Sequence, residues 1–241
     1  MNGSERAPPG ASKPGQVGYP YKKRFYRDAG VADRYDEDRF TGPFRSRRDR
    51  RKWRAIRAAL RQAEGLRTVL DLPCGTGRFT GRLARCGYVV VGSDISWEMM
   101  GRATAAPREA DVLGYVQAEA ERLPFAGGAV DGIVCVRFLF HVDPATRVAI
   151  LRELGRVGRW LLLDYRHRYS YRYLKWRILR SLAITRRPLE RVSRAQLDRE
   201  CAGAGLRIHS IHPVDRIFSD KWIVLAESRG RETGEASHAG S

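Results

Sequence analysis

Residues 68–94 read TVLDLPCGTGRFTGRLARCGYVVVGSD, and this stretch decides the fold. An apolar run, Val69 to Leu72, carries a single acid, Asp71. It leads into a glycine-rich turn, Cys74-Gly75-Thr76-Gly77, and then a helical pattern from Arg78 to Arg85. A second apolar run, Tyr88 to Val91, ends on Gly92-Ser93-Asp94. Strand, tight turn, helix, and a strand with an acid at its tip make the βαβ unit that binds nucleotide-like cofactors.

The pattern continues on both sides. Ile95 to Ala106 reads as a helix capped by Ser96. Leu113–Gln117, Val130–Val136 and Trp160–Tyr165 read as further strands, with a helix over Pro144–Arg156 between the last two. Such alternation implies an α/β fold with a doubly wound, mostly parallel sheet. Leu206–His212 and Trp222–Glu227 form a hairpin-like pair after a capped helix, Ser193–Ala204. They bring the sheet to seven strands with a final antiparallel one. Upstream, Arg45–Gln62 is a basic helix with Trp53, Ile56, Ala59 and Leu60 on one stripe, its arginines facing water. Residues 1–20 have no apolar period and are expected to be disordered, as are 229–241. The remainder, 21–228, reads as a single domain. In it 21–62 supplies N-terminal cap helices, and 164–192 (YSYRYLKWRILRSLA at its heart) a basic amphipathic lid.

At 241 residues the chain is long enough for one well-buried α/β domain. Its net charge of +18 is unevenly spread: +9 over residues 1–60, +2 over 61–163, +7 over 164–192 and zero over 193–241. Charge clustered in this way suits an anionic partner such as a phospholipid surface, nucleic acid or a charged substrate. Only six of the basic residues are lysines, a bias that composition alone explains. Cys74, Cys86, Cys135 and Cys201 form no CxxC pair and read as small apolar core residues in a reducing compartment. Met1 to Pro20 has no apolar core and no stretch reaches the roughly 20 apolar residues of a membrane span. The expected location is the cytoplasm, with peripheral contact to the inner face of the membrane.

The glycine turn by itself leaves the cofactor open. The dinucleotide pattern G-x-G-x-x-G fails, because Gly75 and Gly77 are followed by Gly81, one position late. No G-K-[ST] follows, so a phosphate loop is excluded. Together with Asp94, Glu119-Ala120-Glu121-Arg122-Leu123-Pro124-Phe125, Val130-Asp131 and Phe138–Val142, the run Asp71-Leu72-Pro73-Cys74-Gly75-Thr76-Gly77 resembles the ordered motifs of the class I S-adenosylmethionine-dependent methyltransferases. The resemblance covers about residues 45–228. It departs at Pro73, where glycine is commoner.

That resemblance implies a Rossmann-like methyltransferase fold, S-adenosylmethionine as cofactor, and a cofactor set of Asp71, Pro73, Gly75, Thr76, Gly77, Asp94, Ile95, Met99, Glu119, Ala120 and Arg137. The cofactor's chemistry fits such residues. It has a cationic sulfonium and ammonium, which Asp71 suits, and a ribose diol, which Asp94 is placed to accept with both oxygens. Bare glycine backbone allows close approach, Ile95 suits the adenine face, and Glu119–Ala120 the adenine edge. No metal ligand is expected.

The acceptor is less legible. Methyl transfer from sulfonium is an in-line displacement that needs positioning, exclusion of water and sometimes a base. His141, as a base or a structural residue, Arg137, as an anchor for an anionic acceptor, and Tyr35 are the catalytic candidates. Phe138, Tyr26, Tyr165, His167 and Tyr169 are further acceptor-side residues. No Asn/Asp-Pro-Pro-Tyr/Phe run and no Pro-Cys pair follows the fourth strand, which argues against two routes to base methylation. A small-molecule or lipid-linked acceptor remains, with an RNA methyltransferase and a non-catalytic cofactor-binding partner protein as the other readings. The segment 164–192 suits a membrane-surface helix and equally a nucleic-acid face, and a lid over the acceptor pocket as well as those two together.

Overall fold

The computed structural model describes residues 43–105, 111–184, 191–215 and 219–229. The arm that holds Tyr26 and Tyr35 lies outside these residues, as do both tails.

The first helix, α1 (Pro43–Leu60), buries the expected stripe. Ile56 and Ala59 have no exposed surface, and Trp53 packs against the same core with its ring 6.1 Å from Phe79. Burying one isoleucine stabilises by roughly 1.5–3 kcal/mol, which docks an otherwise strongly basic helix on the sheet. Arg54 and Arg57 face water. Lys52 does not: it is buried and reaches Asp164, 2.5 Å away.

The sheet has seven strands: β1 (Thr68–Asp71), β2 (Val89–Asp94), β3 (Val112–Gln117), β4 (Val130–Cys135), β5 (Gly158–Arg166), β6 (Leu206–Pro213) and β7 (Lys221–Ser228). Their order is β3-β2-β1-β4-β5-β7-β6. All neighbours are parallel except β7, which runs antiparallel to both β5 and β6. This is the fold class the sequence implied. Chain order reverses direction at β1, with β2 on one side and β4 on the other, so a crevice opens at the carboxyl ends of those strands. The glycine turn leaves β1 at that point.

Side chains alternate across the sheet, as pleating requires. Val69, Trp160 and Leu162 join the face covered by α1 and α2 (Arg78–Ala84). Leu70, Leu161 and Leu163 join the opposite face, covered by α4 (Pro144–Val157) and α6 (Arg194–Gly203). The remaining helices are α3 (Trp97–Ala105) and α5 (Tyr171–Ser181). Helix starts follow the caps: Ser96 Oγ accepts from Met99 N–H, and the Ser170 and Ser193 side chains accept from Tyr173 and Gln196 N–H. Asp131 Oδ2 accepts from the backbone N–H groups of Arg67 and Thr68 and from the Thr68 hydroxyl, clipping β4 to the start of β1.

Three details differ from the sequence reading. Strand β5 runs on to Arg166, because Asp164, Tyr165 and Arg166 pair with Ile223, Trp222 and Lys221. The inserted segment therefore begins at His167 rather than at residue 164. Helix α5 starts only at Tyr171, because Ser170 caps it. Cys86 is exposed after α2, whereas Cys74, Cys135 and Cys201 are buried.

Candidate functional site

The turn after β1 is built on left-handed glycines. Gly75 has φ +55° and Gly77 φ +76°. A Cβ at Gly77 would stand 2.8 Å from Ala103 Cβ, so α3 packs against bare backbone there. Cys74 N–H bonds to Ser93 O at 2.8 Å, which ties the turn to β2. Met99 is buried beneath it, 3.6 Å from where a Gly75 side chain would begin.

Two acids close this turn from either side. Asp71 is buried and accepts from the Thr80 hydroxyl at 2.7 Å. Burial pushes its carboxyl up to about 7; the Thr80 bond opposes that, and the nearby charge of Asp94 adds to it. Asp94 is buried too, and burial likewise raises it against the backbone bonds it accepts. Its Oδ2 takes Gly75 N–H at 2.8 Å and its Oδ1 takes Ser96 N–H at 3.0 Å. Both oxygens are thus engaged by the backbone, with the Ile95 N–H adding to the field, and the carboxylate keeps acceptor capacity for a hydroxyl donor. Among the described residues neither acid has a salt-bridge partner. Two buried acids in electrostatic reach of each other, without a cation between them, fit a ligand that brings positive charge and hydroxyl groups.

Around this pair, Thr76 and Pro73 are half-buried, and the Leu72–Pro73 bond is cis. Ile95 is half-buried and its carbonyl accepts from Gln117 Nε2 at 3.0 Å. Glu119 is exposed and bridges to Arg122, while Ala120 lies in the core. The Leu123–Phe125 segment is pinned by α4: Glu153 accepts Leu123 N–H at 2.8 Å and Arg156 donates to Phe125 O at 2.8 Å.

The acceptor-side candidates separate. Arg137, just beyond β4, has φ +67°. That conformation is rare for a side chain other than glycine and costs roughly 1–2 kcal/mol. Phe138 packs on the core, and His141 is half-buried in the 3₁₀ turn Leu139–His141, its ring 4.2 Å from Phe140. Tyr165 turns into the core, where its hydroxyl bonds Glu200 at 3.1 Å beside the buried Arg147. His167 is buried and stacked on Trp222 at 4.4 Å; its Nδ1 accepts Tyr169 N–H, and burial lowers its pKa. The structure thus gathers Asp71, Asp94 and the glycine turn, places Arg137 and His141 after β4, and directs Tyr165 away from them.

Sequence reasoning passed over a charge cluster at the ends of β5 and β7. Asp164 is fully buried, and although burial alone would raise it, Lys52 and Lys221 hold it below the usual carboxylate range. Arg166 follows on the same strand, its guanidinium 3.6 Å above the Phe140 ring. Arg191 and Asp220 form a second buried pair at 2.5 Å. The signal was present: an acid within Trp160–Tyr165, an otherwise apolar strand, needs a counter-charge when buried.

A doubly wound sheet in this strand order, with a bare glycine turn between two buried acids at its switch point, defines a Rossmann-like fold with a cradle for a cationic cofactor. Residues 69–159 match the family model described as "Methyltransferase domain". That segment belongs to the class I S-adenosylmethionine-dependent methyltransferases. The chain is 40% identical over 130 residues to a demethylmenaquinone methyltransferase of Beutenbergia cavernae, covering 54% of this chain and 50% of that one. It is 33% identical over 111 residues to a ubiquinone biosynthesis O-methyltransferase of Methylococcus capsulatus, covering 45% and 47%. It spans about half the length of the curated relatives it matches. In overall shape it is similar to magnesium protoporphyrin IX methyltransferase from Synechocystis PCC 6803 solved with bound S-adenosylhomocysteine (TM-score 0.64, 19% identity, 87% of this chain and 98% of that one).

Proposed function

We propose that this protein moves the sulfonium methyl of S-adenosylmethionine to a small-molecule or lipid-linked acceptor, working against an anionic membrane surface. The observation that carries the donor half is the pair of buried strand-tip acids around a side-chain-free turn. When bound, the cofactor supplies an activated methyl group. The chain's own part is to hold and position. Asp71 offers negative charge to a cationic group, Asp94 offers its remaining acceptor capacity to a diol, and the left-handed glycines leave the backbone open for close approach. Ile95 lines the adenine side, and Glu119, Ala120, Pro73, Thr76 and Met99 complete the cradle. Arg137 faces the acceptor, and His141 takes a proton where the acceptor must lose one. Tyr35, outside the described residues, is the third catalytic candidate.

The acceptor half rests on α5 and on the relatives. Tyr171, Leu174, Ile178 and Leu182 follow one another at helical spacing, and each is more than half exposed. Lys175, Arg177 and Arg180 are interleaved with them. An exposed apolar edge flanked by cations matches a bilayer of anionic lipid, where each basic residue adds about 1 kcal/mol. Among the described residues no helix is long and apolar enough to cross a membrane. The relatives' quinone names and the neighbour's porphyrin name favour a conjugated-ring acceptor that partitions toward lipid.

The test is methyl-labelled cofactor with total membrane extract and with total RNA, alongside sedimentation with phosphatidylglycerol vesicles. The expected result is label in the organic phase, and vesicle binding that Leu174→Glu with Ile178→Glu removes. Label in RNA, or binding that ignores lipid charge, overturns the acceptor reading. Failure to bind S-adenosylhomocysteine overturns the donor reading.

A further inference from the structure

The charge cluster at the ends of β5 and β7 has no role in the donor half. Each of its carboxylates has an ion-pair partner: Asp164 Oδ2 sits against Lys52 and Asp220 against Arg191, both pairs at 2.5 Å and buried, while Asp164 Oδ1 accepts no hydrogen bond. Two more cations share the same space. Arg166 and Lys221 are register partners across the β5–β7 ladder. Arg166 lies within electrostatic reach of Arg191, Asp220, Asp164 and Arg137, and Lys221 within reach of Lys52, Asp164 and Arg166. Among the described residues the cluster therefore has more cations than carboxylates.

The local geometry shows what would answer that excess. Phe140 covers one face of the Arg166 guanidinium, which leaves its N–H donors in the plane of the edge. The Arg166 Nε–H is buried and has no acceptor. A fork of in-plane donors is matched by a planar or tetrahedral oxyanion, held by two parallel bonds. Lys221 carries the same message: burial and the like charge of Lys52 push its ammonium pKa down, so a nearby anion would restore it. The position also fits, because Phe140 belongs to the turn after β4, next to Arg137 and His141.

We propose that Arg166, with Lys221 beside it, forms a subsite for an oxyanion of the acceptor, a carboxylate or phosphate group, separate from the cofactor cradle. This rests on the methyltransferase reading for the word acceptor, but the anion site itself can be measured alone. The probe is arginine-labelled protein saturated with S-adenosylhomocysteine, in which the Arg166 Nε–H resonance is identified by its loss in Arg166→Lys. Sodium phosphate and sodium benzoate are titrated separately against sodium chloride at constant ionic strength. The expected result is a saturable downfield shift with phosphate, benzoate or both, and none with chloride. Which probe acts tells a phosphate-bearing acceptor from a carboxylate one.

Anion affinity, followed in the variants by calorimetry, should fall about tenfold in Arg166→Lys and Lys221→Met, the value of one charge-assisted bond. S-Adenosylhomocysteine affinity should stay within about twofold, and Arg54→Ala, on the exposed face of α1, should change neither. No saturable shift up to about 50 mM of either anion overturns the proposal. So does a parallel loss of cofactor affinity in Arg166→Lys, which would assign this arginine to the cradle. Should Lys221→Met fail to fold, Arg166→Lys decides. If the wild type binds anion but no S-adenosylhomocysteine, the subsite stands and the methyltransferase reading falls.

Discussion

Replacing Asp94 by asparagine tests the cradle at its most constrained atom pair. The carboxylate accepts Gly75 N–H at 2.8 Å through one oxygen and Ser96 N–H at 3.0 Å through the other. Asparagine keeps the shape but has one acceptor oxygen. Its NH2 group must face one of those two N–H donors, and a buried donor left unsatisfied costs about 1–3 kcal/mol. Part of this is offset in the free protein, because burial penalises the Asp94 charge that the substitution removes. Stability should therefore fall by no more than about 1–2 kcal/mol. Cofactor affinity should fall further, since one hydroxyl donor loses its acceptor and the glycine turn loses a tether.

Together these amount to about 2–4 kcal/mol, or roughly 30- to 1000-fold in Kd. Calorimetric titration with S-adenosylhomocysteine reads the affinity, and urea denaturation reads the stability. An Asp94→Asn protein that binds within about twofold of wild type would refute the assignment of this carboxylate to the cofactor.

Asp71 predicts a pH effect of a particular sign. Its folded pKa is raised from 3.8 to about 7, so the folded state binds the extra proton and gains stability as pH falls from about 7 toward 4. Asp71→Asn should be more stable than wild type at pH 8, with the advantage gone below about pH 4.5, as paired thermal melts would show. A constant difference across that range would contradict it. Lys52→Met should cost roughly 3 kcal/mol, because it takes from the buried Asp164 the one cation bonded to it and leaves only the more distant charges of Lys221 and Arg166. Adding Asp164→Asn should recover most of the loss in urea midpoints, and a merely additive double variant would count against the pair. Gly77→Ala should lose roughly 1–2 kcal/mol from its left-handed φ alone, and more from the 2.8 Å approach to Ala103. A melting temperature equal to wild type would show that the turn is less constrained than its geometry.

The fold was legible because its signals are local. Alternation at Val69–Leu70 and the cap residues Ser96 and Ser193 work over two to four residues, and the structure uses each of them, whereas the Ser170 cap went unread. The juxtaposition proposed as the donor half was legible for the same reason: β1, the glycine turn and the tip of β2 are near in sequence and the sheet only has to set them side by side. Asp94 shows where this stops. Its position was readable, but its two backbone bonds depend on how the glycine turn folds over it at Gly75 and on where α3 begins, at its cap Ser96. Lys52, Asp164, Arg166 and Lys221 come from three elements up to 169 positions apart, and only tertiary packing joins them. Periodicity placed the arginines of α1 in water but had nothing to say of Lys52, which a buried acid recruits.

The proposed donor and acceptor halves of the site differ in sign, and methyl transfer gives that difference a consequence. Methyl transfer from a sulfonium to an anionic atom removes charge in the transition state, since the cation and the anion neutralise one another. A guanidinium bonded to the attacking atom would stabilise the reactants more than the transition state and would slow the step. Arg166 and Lys221 therefore suit an oxyanion remote from the atom that is methylated, where binding energy holds the acceptor without opposing the chemistry. The Asp71 and Asp94 side favours the cationic donor for the corresponding reason of charge. With an acceptor in hand, Arg166→Lys should raise KM about tenfold and lower kcat by no more than about twofold. A fall confined to kcat, with KM unchanged, would mean that Arg166 touches the reacting atoms, and that the anion it holds is the nucleophile.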